Sequence, residues 1–185
     1  MSPAAIKAVL APESGDDFII LITIYDPDIP STIIARICDN WTGRLSGSIN
    51  IGSTGTGGVI TYTTDDDDIL YGVQRADGTK FLFLPIEITL PDERDGTPPR
   101  ANIVFHDITQ YLVPMIRSLR SPPLVKMEIV LSSNVDTPEV TFTDFYIYNI
   151  TYNRDTISAE LGMINYELEP FPQHSFTPAY FPGIF

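Results

Sequence analysis

The chain has 185 residues, of which 43% are hydrophobic, enough for one domain with a real core. That is too apolar for a disordered chain, so its net charge of -13 has to lie on the surface of a folded body. With 24 acidic residues against 11 basic ones, this surface repels DNA and anionic membranes, because binding phosphate needs clustered Lys and Arg.

Residues 1–185 read as a single domain. The opening "MSPAAIKAVLAPESGDD" lacks the basic start and long apolar core of a signal peptide. No stretch reaches the roughly 18 apolar residues of a membrane span, so the expectation is a chain made and folded in the cytoplasm, with no membrane partner. Cys38 is the only cysteine. It has no partner for a disulfide and no neighbours for a CxxC zinc site, and reads as a buried thiol in a strand.

Two apolar runs come first, "DFIILITI" at 17–24 and "STIIARIC" at 31–38. The Pro and Asp residues of "YDPDIP" between them predict a hairpin. Residues 43–76 are rich in Gly, Thr, Ser and Asp and lack a sustained apolar period, so they read as an extended loop with one irregular hairpin, an insertion that adds little to the core. An Asp-Gly turn is expected at Asp77 and Gly78. "KFLFLPIEITL" restores the strand signal, with Pro85 marking an edge or bulged position. A stiff acidic bend, "LPDERDGTPP", leads into the strand "RANIVF". The one helix expected covers about 107–119, with Asp107 as N-cap, apolar residues from Ile108 to Leu119 at helical spacing and Pro114 as a kink. Three strands rich in Val, Ile, Thr, Tyr and Phe follow, "LVKMEIVLSS", "EVTFTDFYIYNITYN" and "TISAELGMI". Residues 170–185 form an arm rich in proline and aromatic residues. The fold class is mostly β, an antiparallel β-sandwich or small barrel with one short helix and a long loop insertion.

Catalytic signals are missing. His106 and His174 stand in no known signature, and no nucleophile elbow, zinc-protease motif, phosphate loop or dinucleotide fingerprint occurs. The expectation is a protein without catalytic residues or cofactor. The "DDDD" run at 65–68 lacks the alternating ligands, Gly and bidentate Glu of a calcium loop and reads as a solvated acidic loop. In the stretch from Phe142 to Thr151, alternation puts Phe142, Asp144, Tyr146, Tyr148 and Ile150 on one face, and Thr143, Phe145, Ile147, Asn149 and Thr151 on the other. Both faces are apolar, which predicts a strand covered on both sides by its own core or by a neighbouring subunit.

The second half resembles a family of small tail-tip proteins of long-tailed bacteriophages. The most specific pieces are "LPDERDGTPPRA" and the terminal "FTPAYFPGIF"; the likeness covers roughly 80–185 well and 17–38 loosely, and 43–76 is longer than is usual in the family. The resemblance implies a virion structural protein, β-rich and without catalytic residues, in a ring or collar that links the tail tube to the baseplate hub and receptor-binding apparatus. Its partners would be further copies of itself and the tube and hub proteins, with DNA as passing cargo only. The prolines of the acidic bend reduce the entropy lost when it is fixed in an assembly, so Asp92, Glu93, Asp95 and Arg100 are candidate interface residues. Phe176, Tyr180, Phe181 and Phe185 join them, because so apolar an ending has to fold back or dock. The alternative reading is a carbohydrate-binding β-sandwich module, with a calcium ion in the acidic loop.

Overall fold

The computed structural model describes residues 1–11, 15–26, 33–45, 48–53, 59–63, 70–89, 100–106, 117 and 121–163. Among these residues one complete helix, α1 (Pro3–Leu10), precedes twelve strands. They are β1 (Phe18–Tyr25), β2 (Ile33–Cys38), β3 (Gly43–Leu45), β4 (Ser48–Ser53), β5 (Val59–Thr63) and β6 (Leu70–Gln74), then β7 (Lys80–Phe83), β8 (Ile86–Thr89), β9 (Arg100–Phe105), β10 (Leu124–Leu131), β11 (Val140–Tyr152) and β12 (Ile157–Gly162). Ten strands form one sheet in the order β3-β6-β7-β2-β1-β10-β11-β12-β9-β8, and β4 and β5 form a separate hairpin. The fold is mostly β and sandwich-like.

The centre of the sheet is β1 paired antiparallel with β10 and with β2, from Phe18 opposite Leu131 to Tyr25 opposite Leu124 and from Leu21 opposite Cys38 onward. Runs such as "FIILITIY" suit that place, because a strand flanked on both sides and covered on both faces has little room for polar side chains. The inner face carries Ile22, Ile37, Met127, Ile103, Ile157 and Leu161 in one contiguous buried cluster, each burial worth about 1.5–3 kcal/mol relative to exposure. On the outer face the two ends of the sheet differ. Towards β8 and β9 it presents exposed Glu87, Thr89 and Asn102 to water. Towards β6 and β7 it bears a second buried cluster, Ile19, Leu21, Cys38, Val73, Phe81 and Val130.

Three expectations need correction. The sheet is mixed rather than antiparallel throughout, because β2 and β7 run parallel, with Ile37 opposite Leu82 and Cys38 opposite Phe83. It is also not a closed barrel, since β3 and β8 are its two edges. The third correction concerns residues 43–76. Parallel neighbours need a long crossover, and this segment is part of the crossover from β2 to β7. It supplies β3 and β6 to the sheet and buries Leu45 and Val73 in the core. Only β4 and β5 stand apart as a hairpin, with β4 lying against β2 and β7.

The expected helix at about 107–119 lies outside the described residues except for Arg117, which is helical. The helix that is described, α1, went unanticipated although its signals are present. Ser2 is its N-cap, its Oγ accepting from Ala5 N–H at 3.1 Å, and Pro3 occupies the first turn where a missing N–H costs nothing. Alternation along β11 is interrupted twice. Phe142 faces Met127 and Phe145 faces Val125, then Tyr148 faces Glu160 and Thr151 faces Ser158. In both places three steps on β11 match two on its neighbour, a β-bulge, so Phe142 and Phe145 do not fall on opposite faces. Asn149, in the second bulge, takes φ 49°, a left-handed conformation open to Asn.

Leu45 and Leu70 lie opposite each other in the β3–β6 ladder. Replacing residues 46–69 with a two-residue Asn-Gly turn should therefore preserve a single cooperative thermal transition. Deleting 43–76 should abolish it, because β3, β6 and two core side chains leave with it. Cooperative unfolding of the larger deletion would show that these strands contribute nothing essential.

Candidate interaction face

The β6–β7 turn anchors the outer face. Arg75 O accepts from Gly78 N–H at 3.0 Å and Arg75 N–H donates to Thr79 O at 2.9 Å. This closes a three-residue hairpin loop in which Gly78 takes φ 84°, a conformation Gly adopts without strain. The expected Asp-Gly turn is therefore present, with Asp77 Oδ1 accepting from Thr79 N–H at 2.7 Å. Two bonds tie the turn to residues beyond β10: Arg75 Nε donates to Val135 O at 3.0 Å, and Ala76 N–H to Asp136 Oδ1 at 2.8 Å.

From this turn Arg75 extends over the Phe81 ring, its guanidinium carbon 5.4 Å from the ring centre, and its Nη2 comes within 3.3 Å of Glu128 Oε2. Lys126 Nζ lies 3.1 Å from the other carboxylate oxygen. Between β6 and β10 lie four strand spacings, about 19 Å in a flat sheet, too far for an Arg and a Glu to meet. Their contact means that this end of the sheet curls over its outer face, enclosing the second apolar cluster.

Among the described residues, apolar surface remains exposed in three separate places. Trp41 and Tyr71 pack together by the β3 edge, ring centres 4.6 Å apart and planes inclined by 51°, with each residue about half exposed. Along β11 and β12, Phe142, Tyr148, Tyr152 and Met163 are exposed, with the Arg117 guanidinium 5.4 Å from the Tyr152 ring centre. On α1, Ile6, Val9 and Leu10 point outward while Ala5 is buried. The aromatic stretch expected to be covered on both sides is thus buried at Phe145 and Ile147 and open at Phe142 and Tyr148.

Most of the interface residues suggested by sequence, Asp92, Glu93, Asp95, Phe176, Tyr180, Phe181 and Phe185, lie outside the described residues, as do the acidic run at 65–68 and the 170–185 arm. Arg100 is placed as the first residue of β9, opposite Gly162. His106 lies at the end of β9 with Nε2 3.1 Å from Glu87 Oε1 on the edge strand. Cys38 is buried, its thiol donating to Phe81 O at 3.6 Å, and burial pushes its pKa up to about 12, so it stays a thiol at neutral pH. Among the described residues no group of three or more His, Cys, Asp or Glu is placed to hold a metal ion. The Arg75–Glu128 pair is not legible in the sequence because the two residues are far apart in the chain and only the curl brings them together. Comparison of the chain with family models, with curated proteins and with solved structures gives no match.

Glu139 fastens α1 to the sheet. Its carboxylate accepts from both Ser2 N–H and Ser2 Oγ. These bonds to the charged form, the side-chain one first, hold its pKa below the usual 4.5. A depressed carboxylate pKa contributes stability that is complete above 4.5 and is lost as pH falls through the lower folded-state value. The protection of Ala5 relative to the intrinsic exchange rate should therefore fall on acidification below 4.5 while that of Leu21 does not, and Glu139→Gln should show the reduced Ala5 protection at neutral pH. Equal protection of Ala5 in that variant and the parent would remove Glu139 as the fastening.

Proposed function

We propose that this chain is a non-enzymatic structural component of a bacteriophage tail tip or baseplate, one copy of a ring or collar between tail tube and hub. The observation that carries this reading is the distribution of exposed apolar groups over the β3 edge, the β11–β12 face and α1. A catalyst gathers its special groups in one cleft, whereas a part with several neighbours needs several contact places. Three further features support it: the resemblance of "LPDERDGTPPRA" and "FTPAYFPGIF" to tail-tip proteins, a net charge of -13 that lets DNA pass without sticking, and an open sheet whose edges are only three and four residues long. Short edges limit indiscriminate strand pairing, leaving side chains to choose the partner.

One observation favours a second reading, a carbohydrate-binding module: the exposed Trp41–Tyr71 pair, since aromatic faces stack on sugar rings. Trp41 is the only tryptophan, so a saturable change in its fluorescence on adding cell-wall oligosaccharide would favour that reading, and a flat titration would count against it.

For the assembly reading, native mass spectrometry of the full chain should show species of several copies. Removing residues 176–185, whose Phe and Tyr side chains are worth on the order of 2 kcal/mol each when buried, should give a folded monomer with near-normal circular dichroism that fails to enter tails in a complementation assay. Infectious particles at normal yield from the truncated protein would contradict a role for the ending in assembly.

A further inference from the structure

On the outer face beyond β10, strands β11 and β12 set two tyrosines beside a glycine. Tyr146 stands opposite Gly162 and Tyr148 opposite Glu160, and residues opposite each other share a face of the sheet. Leu161, between those two partners on β12, is buried in the inner cluster, so the tyrosines face outward. Their ring centres lie 6.2 Å apart with planes inclined by 33°, which makes two rings side by side and not far from parallel. A Cβ on Gly162 would stand 3.3 Å from Tyr148 Cε2. The bare glycine is what lets that ring lean across onto β12.

The second bulge of β11 adds polar groups at the edge of these rings. In an unbroken strand Asn149 would turn to the face opposite Tyr148. The extra residue between Tyr148 and Thr151 brings it to the same face instead, where its Nδ2 donates to Glu160 Oε2 at 2.9 Å. Bulges re-aim side chains in this way next to functional sites, and Asn149 adopts its left-handed φ of 49° in doing so. Among the described residues this is the hydrogen bond that Glu160 makes, and Oε1 remains able to accept another. From the other side, exposed Asn102 of β9 stands opposite Glu160. Ring surface, a positioned carboxylate and two amides therefore adjoin one another on an open face.

We infer that this patch binds a pyranose sugar of a glycan, with Tyr148 as the stacking ring and Glu160, Asn149 and Asn102 as partners of its hydroxyls. A pyranose offers a flat C–H face to an aromatic ring and a rim of hydroxyls, each both donor and acceptor. An ionised carboxylate only accepts, whereas an amide does both, so Glu160 takes hydroxyl protons and the two asparagines serve either role. Because Asn149 already holds the carboxylate, less freedom is lost when the sugar arrives. The patch is distinct from the Trp41–Tyr71 pair, since β3 lies six places from β11 in the sheet order. It gives one of the three exposed apolar places a glycan as its partner, and it does not depend on self-association.

The test is an NMR titration of the isotope-labelled full chain with hexasaccharides of glucose, galactose and N-acetylglucosamine, with Trp41 fluorescence followed in parallel. At least one of these glycans should shift the amide signals of Tyr148, Asn149 and Glu160 saturably while Trp41 fluorescence stays flat. Tyr148→Ala should weaken that binding roughly tenfold, the loss of one stacking contact. Glu160→Gln should weaken it too, and Tyr148→Phe, which keeps the ring, should bind like the parent; circular dichroism checks that each variant is folded. No saturable shift with any of the glycans, shifts confined to Trp41 and Tyr71, or parental binding by Tyr148→Ala or Glu160→Gln overturns the inference. Loss of self-association in Tyr148→Ala without any glycan binding by the parent would put a protein neighbour on this face, which overturns the inference and leaves the ring reading standing.

Discussion

Glu128 is the one charged residue buried among the described residues, and the outer face is organised around keeping its carboxylate paired. A carboxylate out of water without a partner costs several kcal/mol. Arg75 and Lys126 meet that cost from two directions, one from a distant hairpin and one from two positions away on the same strand. Because Arg75 comes from the β6–β7 turn, satisfying Glu128 requires the sheet to bend. The bend carries Phe81 and Val73 into the cluster that contains Ile19, Leu21 and Val130. One ion pair and one apolar cluster thus favour the same geometry, and neither forms without the curl.

The chain's path serves that geometry. If β7 followed β2 through a short turn, the two would be antiparallel. The excursion through β3 and β6 brings β7 back parallel to β2, so that the β6–β7 turn arrives at the end of the sheet near residues 132–136. Gly72 marks how tightly this is built: a Cβ there would lie 2.0 Å from Phe81 O, closer than any side chain permits. At the other end, β8 and β9 turn Glu87, Thr89 and Asn102 towards water, and no second buried cluster is found there among the described residues. The same curl that dries Glu128 brings Arg75 close enough to Arg36 for the two charges to repel.

Strands with a sustained apolar or alternating pattern were legible in the sequence almost to the residue. "RANIVF" is β9, and "LVKMEIVLSS", "EVTFTDFYIYNITYN" and "TISAELGMI" contain β10, β11 and β12. Local chemistry also read correctly at the Asp77–Gly78 turn and at Pro85, which falls between β7 and the edge strand β8. The parallel pairing, the bulges of β11 and the core role of Leu45 and Val73 did not read, because each depends on partners far away in sequence. Glu128 is the clearest case. Alternation places it with Lys126 on a face that looks solvated, and only a turn some fifty residues earlier buries it. The signals for α1 are local, a Ser-Pro start before an apolar period, but the helix is only eight residues long, too short for its period to stand out. The acidic bend lies outside the described residues, and the meeting of Arg75 with Glu128 was not legible because it happens only in three dimensions.

A double-mutant cycle on Arg75 and Glu128, followed by denaturant unfolding, tests most directly whether this pair holds the curl. Arg75→Met and Glu128→Leu should each lose stability, by less than the roughly 3–5 kcal/mol of a fully orphaned buried charge, because Lys126 stays at the carboxylate in the first and Arg75 keeps its bond to Val135 O in the second. The double variant should recover much of that loss, giving a coupling above about 1 kcal/mol. Losses that simply add would mean that the two side chains do not depend on each other, and that the sheet curls for some other reason.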